Sequence, residues 1–310
     1  MIREKKIRSG KLLEVSYYPV TKTGQAVSRG SPAKLTSEAQ EKYNQKQRQK
    51  RTVRLVCANF DNSDIFLTLT FKPSEAPADM KDAKRILSNF LRRVKRLRER
   101  KAESLKKDKA RKEDFKKASA SFKYLYALES KVYKKGVRKG KKNFHFHLFI
   151  SGAGTGDRDE YEKLWSGIAV AKRYEPDKYG IDSAAKYITK EKVQSTAPGE
   201  RCIGCSRNLT KPKETVKDGK LTEGGLARIA KCRMTDAGYW ERKNKNYTFV
   251  SGKAVYNNLN GKWYVSVLMY RDKESPPIDV DYWLKDDEYD RGTGAAEVIQ
   301  LGNACSGTVP

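Results

Sequence analysis

The chain has two histidines, and both stand in one short run, Phe144-His145-Phe146-His147-Leu148-Phe149-Ile150. Side chains two apart on a strand leave on the same face. The spacing predicts two imidazoles projecting together, while Phe144, Phe146, Leu148 and Ile150 make an apolar reverse face that packs against helices. Paired imidazoles are common ligands of divalent metals; the plain alternative is two exposed histidines on a sheet surface. Glu129 is the expected third ligand. It closes the preceding run SFKYLYALES (121–130), and hairpin pairing would set it beside the histidines. Its face, Leu125, Ala127 and Glu129, includes a small residue that leaves room for substrate. The alternative for Glu129 is an ion pair with one of many lysines. Two imidazoles and a carboxylate leave positions open for phosphate oxygens and suit Mg²⁺ or Mn²⁺, Mn²⁺ being the better match to imidazole.

A candidate nucleophile follows in Tyr187-Ile188-Thr189-Lys190, within a run expected to be helical. Residues three apart share a helix face, so the phenol and the ammonium would point to one place. A phenol with a pKa of about 10 is a weak nucleophile at neutral pH. A neighbouring lysine can lower that value or stabilise charge on a phosphate, and a metal can polarise the phosphate. The pattern is permissive in a chain with 17 tyrosines, and an amphipathic helix with Tyr187 and Ile188 in the core would produce it equally. Tyr174 and Tyr179 compete for the role, but neither has a lysine three residues later.

The elements that must position these groups are legible by pattern. FLTLTF (66–71) alternates as a strand, with Leu67, Leu69 and Phe71 on one face and Phe66, Thr68 and Thr70 on the other. From about residue 79 to about 106, Ile86, Leu87, Phe90, Leu91, Val94 and Leu97 recur at helical spacing in a helix otherwise dense in Arg and Lys. Residues 121–130 and 144–150 read as an antiparallel hairpin. Asp157 is the expected cap of a helix over DRDEYEKLWSG, with Glu160 completing a capping box. Residues 168–174 read as a strand, and Asp182 or Ser183 opens the tyrosine helix. Near the C-terminus, Asn260-Gly261 marks a β-hairpin turn. Strands followed by helices on one side of a mainly antiparallel sheet make an α+β fold.

The 310 residues carry 66 Lys+Arg against 38 Asp+Glu, a net charge of +28, which points to nucleic acid as partner. No run is apolar enough to span a bilayer, and the N-terminus has no apolar signal core, so no membrane role and a cytoplasmic location are expected. Five scattered cysteines argue against a disulfide framework. Cys202-x-x-Cys205 might be half a zinc knuckle, with Cys232 a third ligand, but ordinary thiols are the simpler reading.

FLTLTF, then HFH, then YITK, in that order, resemble the three motifs of HUH endonucleases, specifically the rolling-circle replication initiators of bacterial phages and plasmids. SRNLTKP (206–212) also resembles a stretch after the tyrosine helix in related phage and integrated-element initiators. The resemblance spans roughly residues 60–195. It implies a central five-stranded antiparallel sheet and a metal held by His145, His147 and Glu129. It further implies that Tyr187, assisted by Lys190, attacks single-stranded or hairpin origin DNA in the bacterial host cell. The products would be a 5′-phosphotyrosine and a free 3′-OH that primes synthesis, with later strand rejoining. Thr68, Thr70, Arg207 and Lys211 are candidate DNA contacts. The motif order argues against relaxases, and the length against small transposases of the same superfamily. No tyrosine lies three or four residues from Tyr187, which favours a single-tyrosine mechanism. No Walker-type loop is present, so a host helicase is expected to serve alongside a host polymerase. The expected division is a basic N-terminal arm and helix (1–55), a catalytic domain (56–197), an accessory basic and β-hairpin region (198–273), and an acidic, partly disordered tail (274–310). A non-enzymatic nucleic-acid-binding protein and a metal nuclease without covalent chemistry are the rival readings.

Overall fold

The computed structural model describes residues 1–20, 38–108, 111–132, 140, 142–175, 201–258 and 260–271. They form an α+β fold with two five-stranded antiparallel sheets. The described residues divide into two compact units, one within 59–175 and 201–210, the other within 1–20, 38–58 and 211–271.

In the first unit the strands are β3 (Ile65–Thr70), β4 (Tyr124–Val132), β5 (Lys142–Ile150), β6 (Ile168–Arg173) and β7 (Ile203–Cys205), in the order β6-β3-β5-β4-β7. The histidine strand β5 is central, and β4 and β5 pair antiparallel as the hairpin pattern predicts. Alternation sends Ile65, Leu67, Leu69, Phe144, Phe146, Leu148 and Ile150 to one face, where all are buried. The long helix α2 (Met80–Leu105) covers that face with Ala83, Leu87, Phe90, Leu91 and Val94. The Asp79 carboxylate caps α2 by accepting from the Asp82 N–H at 2.7 Å. Beyond α2 a second helix, α3 (Lys112–Ser119), buries Ala118 in the same core.

The expected capping box at Asp157 is not formed. Gly156, with φ +77°, takes the N-cap position of α4 (Asp157–Lys163). The fully buried Asp157 carboxylate accepts the Ala153 N–H at 2.7 Å and pairs with Arg173 at 2.6 Å. Glu160 turns to Lys101, also at 2.7 Å. A buried carboxylate needs a charge partner more than a helix end needs a cap, and the return of β6 supplies Arg173.

In the second unit the N-terminal segment, read as an arm with perhaps one strand, is a hairpin of β1 (Ile2–Ser9) and β2 (Leu12–Pro19). It joins β8 (Lys213–Asp218), β9 (Thr248–Asn257) and β10 (Lys262–Tyr270) in the order β8-β1-β2-β10-β9. The expected division, which separates residues 1–55 from the C-terminal region, therefore breaks a continuous sheet. The hairpin at Asn260-Gly261 forms as its turn chemistry dictates, with Gly261 at φ +63°. Helices α5 (Glu223–Cys232) and α6 (Ala237–Lys243) cover one face through Leu226, Ile229, Ala230 and Trp240. Against the other lies α1 (Glu38–Asn59), where Cys57 packs on Leu12, Leu268 and Tyr270 and Arg54 pairs with Glu14. Gly10, at φ +59°, lets the β1–β2 turn approach the Cys57 carbonyl; a Cβ there would stand 2.0 Å from that oxygen. Among the described residues no helix is long and apolar enough to cross a membrane.

Candidate functional site

The face of the first sheet opposite α2 carries the histidines. Cross-strand register sets Thr68 against His147 and Thr70 against His145 on the β3 side. On the β4 side it sets Ala127 against His147 and Glu129 against His145. Directly opposed residues share a face, so Thr68, Thr70, His145, His147 and Glu129 all project to one side.

Each threonine meets an imidazole. Thr68 Oγ1 lies 3.2 Å from His147 Nδ1, and Thr70 Oγ1 lies 3.0 Å from His145 Nδ1. An Nδ1–H donated to a hydroxyl leaves Nε2 with its lone pair, the form that binds a metal. His147 Nε2 stands 3.3 Å from Glu129 Oε2, and both side chains are buried, at 4% and 8% exposure. Phe66 lies parallel to the His147 ring at 6.2 Å, interplanar angle 2°. Phe66 and Phe149 pack together at 5.2 Å, which holds that end of the face apolar.

The donor chemistry fits a divalent ion. Two ligand atoms bound to one ion at about 2.0–2.2 Å stand roughly 3 Å apart when cis, close to the His147–Glu129 separation of 3.3 Å. His145 shares the face but is not gathered to the same point, and among the described residues no group of three or more His, Cys, Asp or Glu side chains is.

The threonines were expected as DNA contacts; the structure gives each hydroxyl an imidazole partner. The signal was the matched spacing of Thr-x-Thr on β3 and His-x-His on β5, which becomes informative only once the two strands are known to be neighbours. β6 extends the same face outward: Ile168 and Val170 sit opposite Thr70 and Thr68, exposed at 63% and 45%.

No family model, curated protein or solved structure matches this chain.

Tyr187, Lys190 and Tyr179 lie outside the described residues. The described chain leaves this sheet after β6 at one edge and re-enters at β7 on the opposite edge. Tyr174, a sequence-level competitor, is buried at 4% exposure, its ring edge-on to Phe149 at 4.9 Å.

Arg207 and Lys211 are both exposed, and they fall in different units. SRNLTKP acts as a latch on its own unit. Ser206 exchanges hydrogen bonds with the Tyr124 backbone. Asn208 Nδ2 donates to Ser121 Oγ at 2.7 Å and to the Phe122 carbonyl at 3.0 Å. Asn59 and Thr210 bond reciprocally at 2.7 and 2.8 Å. Phe122 is seven residues before Glu129, roughly 20 Å along an extended chain, so the structure does not bring Arg207 to the histidines. Cys205 ends β7 and Cys202 immediately precedes it, and no group of three metal-ligating side chains forms among the described residues. Neither cysteine is in a disulfide, and Cys232 belongs to the other unit.

Proposed function

We propose that the protein nicks single-stranded or hairpin origin DNA through Tyr187 and initiates rolling-circle replication. The observation that carries the reading is the ladder on one sheet face, Thr68–His147–Glu129 beside Thr70–His145. A metal-bound imidazole is usually held in place through its other ring nitrogen, and here a hydroxyl stands at each Nδ1 and orients the ring.

His147 and Glu129 would hold the ion, and His145, half-buried on the same face, would complete the set. When bound, the ion supplies Lewis-acid polarisation of the scissile phosphate. The Tyr187 oxygen forms a bond to phosphorus as the bond to the 3′ oxygen breaks. The phenolic proton is lost to solvent, the leaving 3′ oxygen takes up a proton, and Lys190 offsets the developing negative charge. A later 3′-OH attacks the phosphotyrosine and rejoins the strand. The charge of +28 supports a polyanionic substrate.

The test is incubation with end-labelled single-stranded or hairpin DNA and Mn²⁺ or Mg²⁺, followed by denaturing electrophoresis. A protein–DNA adduct that EDTA prevents is the expected result. Metal-dependent cleavage without an adduct would instead make the protein a simple nuclease. Binding of replicon DNA without cleavage would make it a non-enzymatic binder.

Thr68→Val, which keeps shape and removes the hydroxyl, is expected to weaken Mn²⁺ binding about 10–100-fold with little loss of stability. Titration of Mn²⁺ by electron paramagnetic resonance reads the first effect and thermal melting the second. Unchanged Mn²⁺ affinity would separate the threonines from the metal.

A further inference from the structure

A second polar site lies in the other unit. Where α5 and α6 stop covering their sheet, a recess of about 280 Å³ opens over β1 and β8, lined by Glu4, Lys6, Tyr17, Lys217, Lys220 and Lys243, with Ile2 and Leu221 at its apolar margin. Four lysines thus surround a single carboxylate, and that carboxylate is already engaged. Tyr17 donates its hydroxyl to Glu4 at 2.7 Å, and Lys6 pairs with Glu4 at 3.4 Å while donating to Asn244 Oδ1 at 2.6 Å. The lysine and the hydroxyl hold Glu4 ionised against its burial, and burial, reinforced by Lys217, lowers the Lys6 pKa.

Among the described residues Lys217, Lys220 and Lys243 pair with no carboxylate. Lys243 instead lies over the Tyr17 and Tyr239 rings, at 5.5 and 5.0 Å. The opposite face of the same strands is different: Arg3 pairs with Asp218 at 2.7 Å and Lys5 with Glu214 at 2.8 Å. On the recess face Glu4 pairs with Lys6 and lies within electrostatic reach of Lys243, so one carboxylate faces four lysines. Like charges gathered around a concavity repel one another, and an anion in the recess removes that cost.

We infer that this recess binds a phosphate group of a nucleic-acid backbone, giving the protein a second DNA contact on a unit separate from the proposed nicking site. Its volume lies just below the ~300–1,000 Å³ typical of pockets that enclose whole small-molecule ligands, which suits one phosphodiester entering from a longer strand. Lysines bind phosphate as point charges without reading sequence, so the contact adds affinity and register rather than specificity. The inference takes nucleic acid as substrate from the proposed function but does not depend on Tyr187 or on metal.

The experiment measures binding of a fluorescent hairpin DNA by anisotropy, in EDTA, across a salt series, with the full-length protein. The K217A/K220A/K243A variant is compared with wild type and with K107A/K112A/K116A, which removes three exposed lysines from the first unit. Thermal melting confirms that both variants are folded. The recess variant is expected to bind at least 10-fold more weakly and to show a slope of log K against log salt that is shallower by about 1, while the control changes less than threefold. Equal losses in both variants would reduce the effect to net charge and overturn the inference, as would no loss in either. A second arm adds inorganic phosphate or a nucleoside monophosphate at constant ionic strength. Saturable stabilisation of wild type but not of the recess variant, with DNA binding unaffected, would assign the recess to a free phosphate compound and overturn the backbone contact. Because no cleavage is read, absence of nicking and absence of this contact remain separate results.

Discussion

Tyr187→Phe is expected to yield no denaturation-resistant adduct and to lower metal-dependent nicking on the order of 10³-fold or more, while hairpin DNA binding stays within about twofold. The substitution removes only the phenolic oxygen, the atom that would form the proposed covalent bond, and keeps the ring. Losses of this size are usual when a nucleophile is deleted. Tyr174→Phe is the matched control and is expected to form adduct normally. Tyr174 is buried and packed edge-on against Phe149, so it is poorly placed to meet a DNA phosphate. Labelled single-stranded DNA, Mn²⁺ and a denaturing gel read both variants in one experiment. An adduct that survives Tyr187→Phe would remove Tyr187 from the mechanism, and one that disappears with Tyr174→Phe would transfer the role.

Arg98→Leu is expected to be the most damaging single change to stability, about 3–5 kcal/mol, read as a fall in denaturant midpoint. Arg98 is 2% exposed within α2. Its guanidinium donates to the carbonyls of Ser151, Gly152, Lys117 and Ala120, and to the Tyr161 hydroxyl. It thereby joins α2 to the end of β5, to the C-terminal end of α3 and to α4. Leucine matches the stem but supplies no donor, leaving several buried carbonyls unpaired, and such groups cost roughly 1–3 kcal/mol each when no water replaces the partner. Tyr161 shares this environment: burial pushes its phenol up to about 12, so it stays neutral and donates to the Ser151 carbonyl at 2.9 Å. Because β5 carries the histidines, partial unfolding at Arg98 would also disturb the histidine face. An Arg98→Leu protein with wild-type stability would show that water or a neighbouring side chain replaces the guanidinium.

Strand alternation made much of the candidate site readable. Phe144, Phe146, Leu148 and Ile150 had to lie on one side and His145 and His147 on the other, whatever surrounded them, and the buried reverse face follows that rule. Glu129 was reachable because one hairpin links β4 to β5, so the pairing partner is the neighbour in sequence. The stripe from Leu87 to Val94 was readable because helical spacing is local. The Asp157 misreading came from the same local logic. DRDE looks like a helix start, but the demand of a buried carboxylate for Arg173 arises from a strand sixteen residues away.

The His-x-His run by itself determined that two imidazoles would share a face and that an acid on the preceding strand could join them. Tertiary structure decided what stands on the other side of them. β3, about eighty residues earlier, brings Thr68 and Thr70 to the two Nδ1 atoms. It also decided that residues 2–19 and 213–270 build one sheet, which gathers Lys6, Lys217, Lys220 and Lys243 around one recess. The physical reason is the same in both cases. The direction of a side chain follows from the backbone period within a strand, but the choice of pairing partner between distant strands is made by burial of whole faces, which no local pattern records.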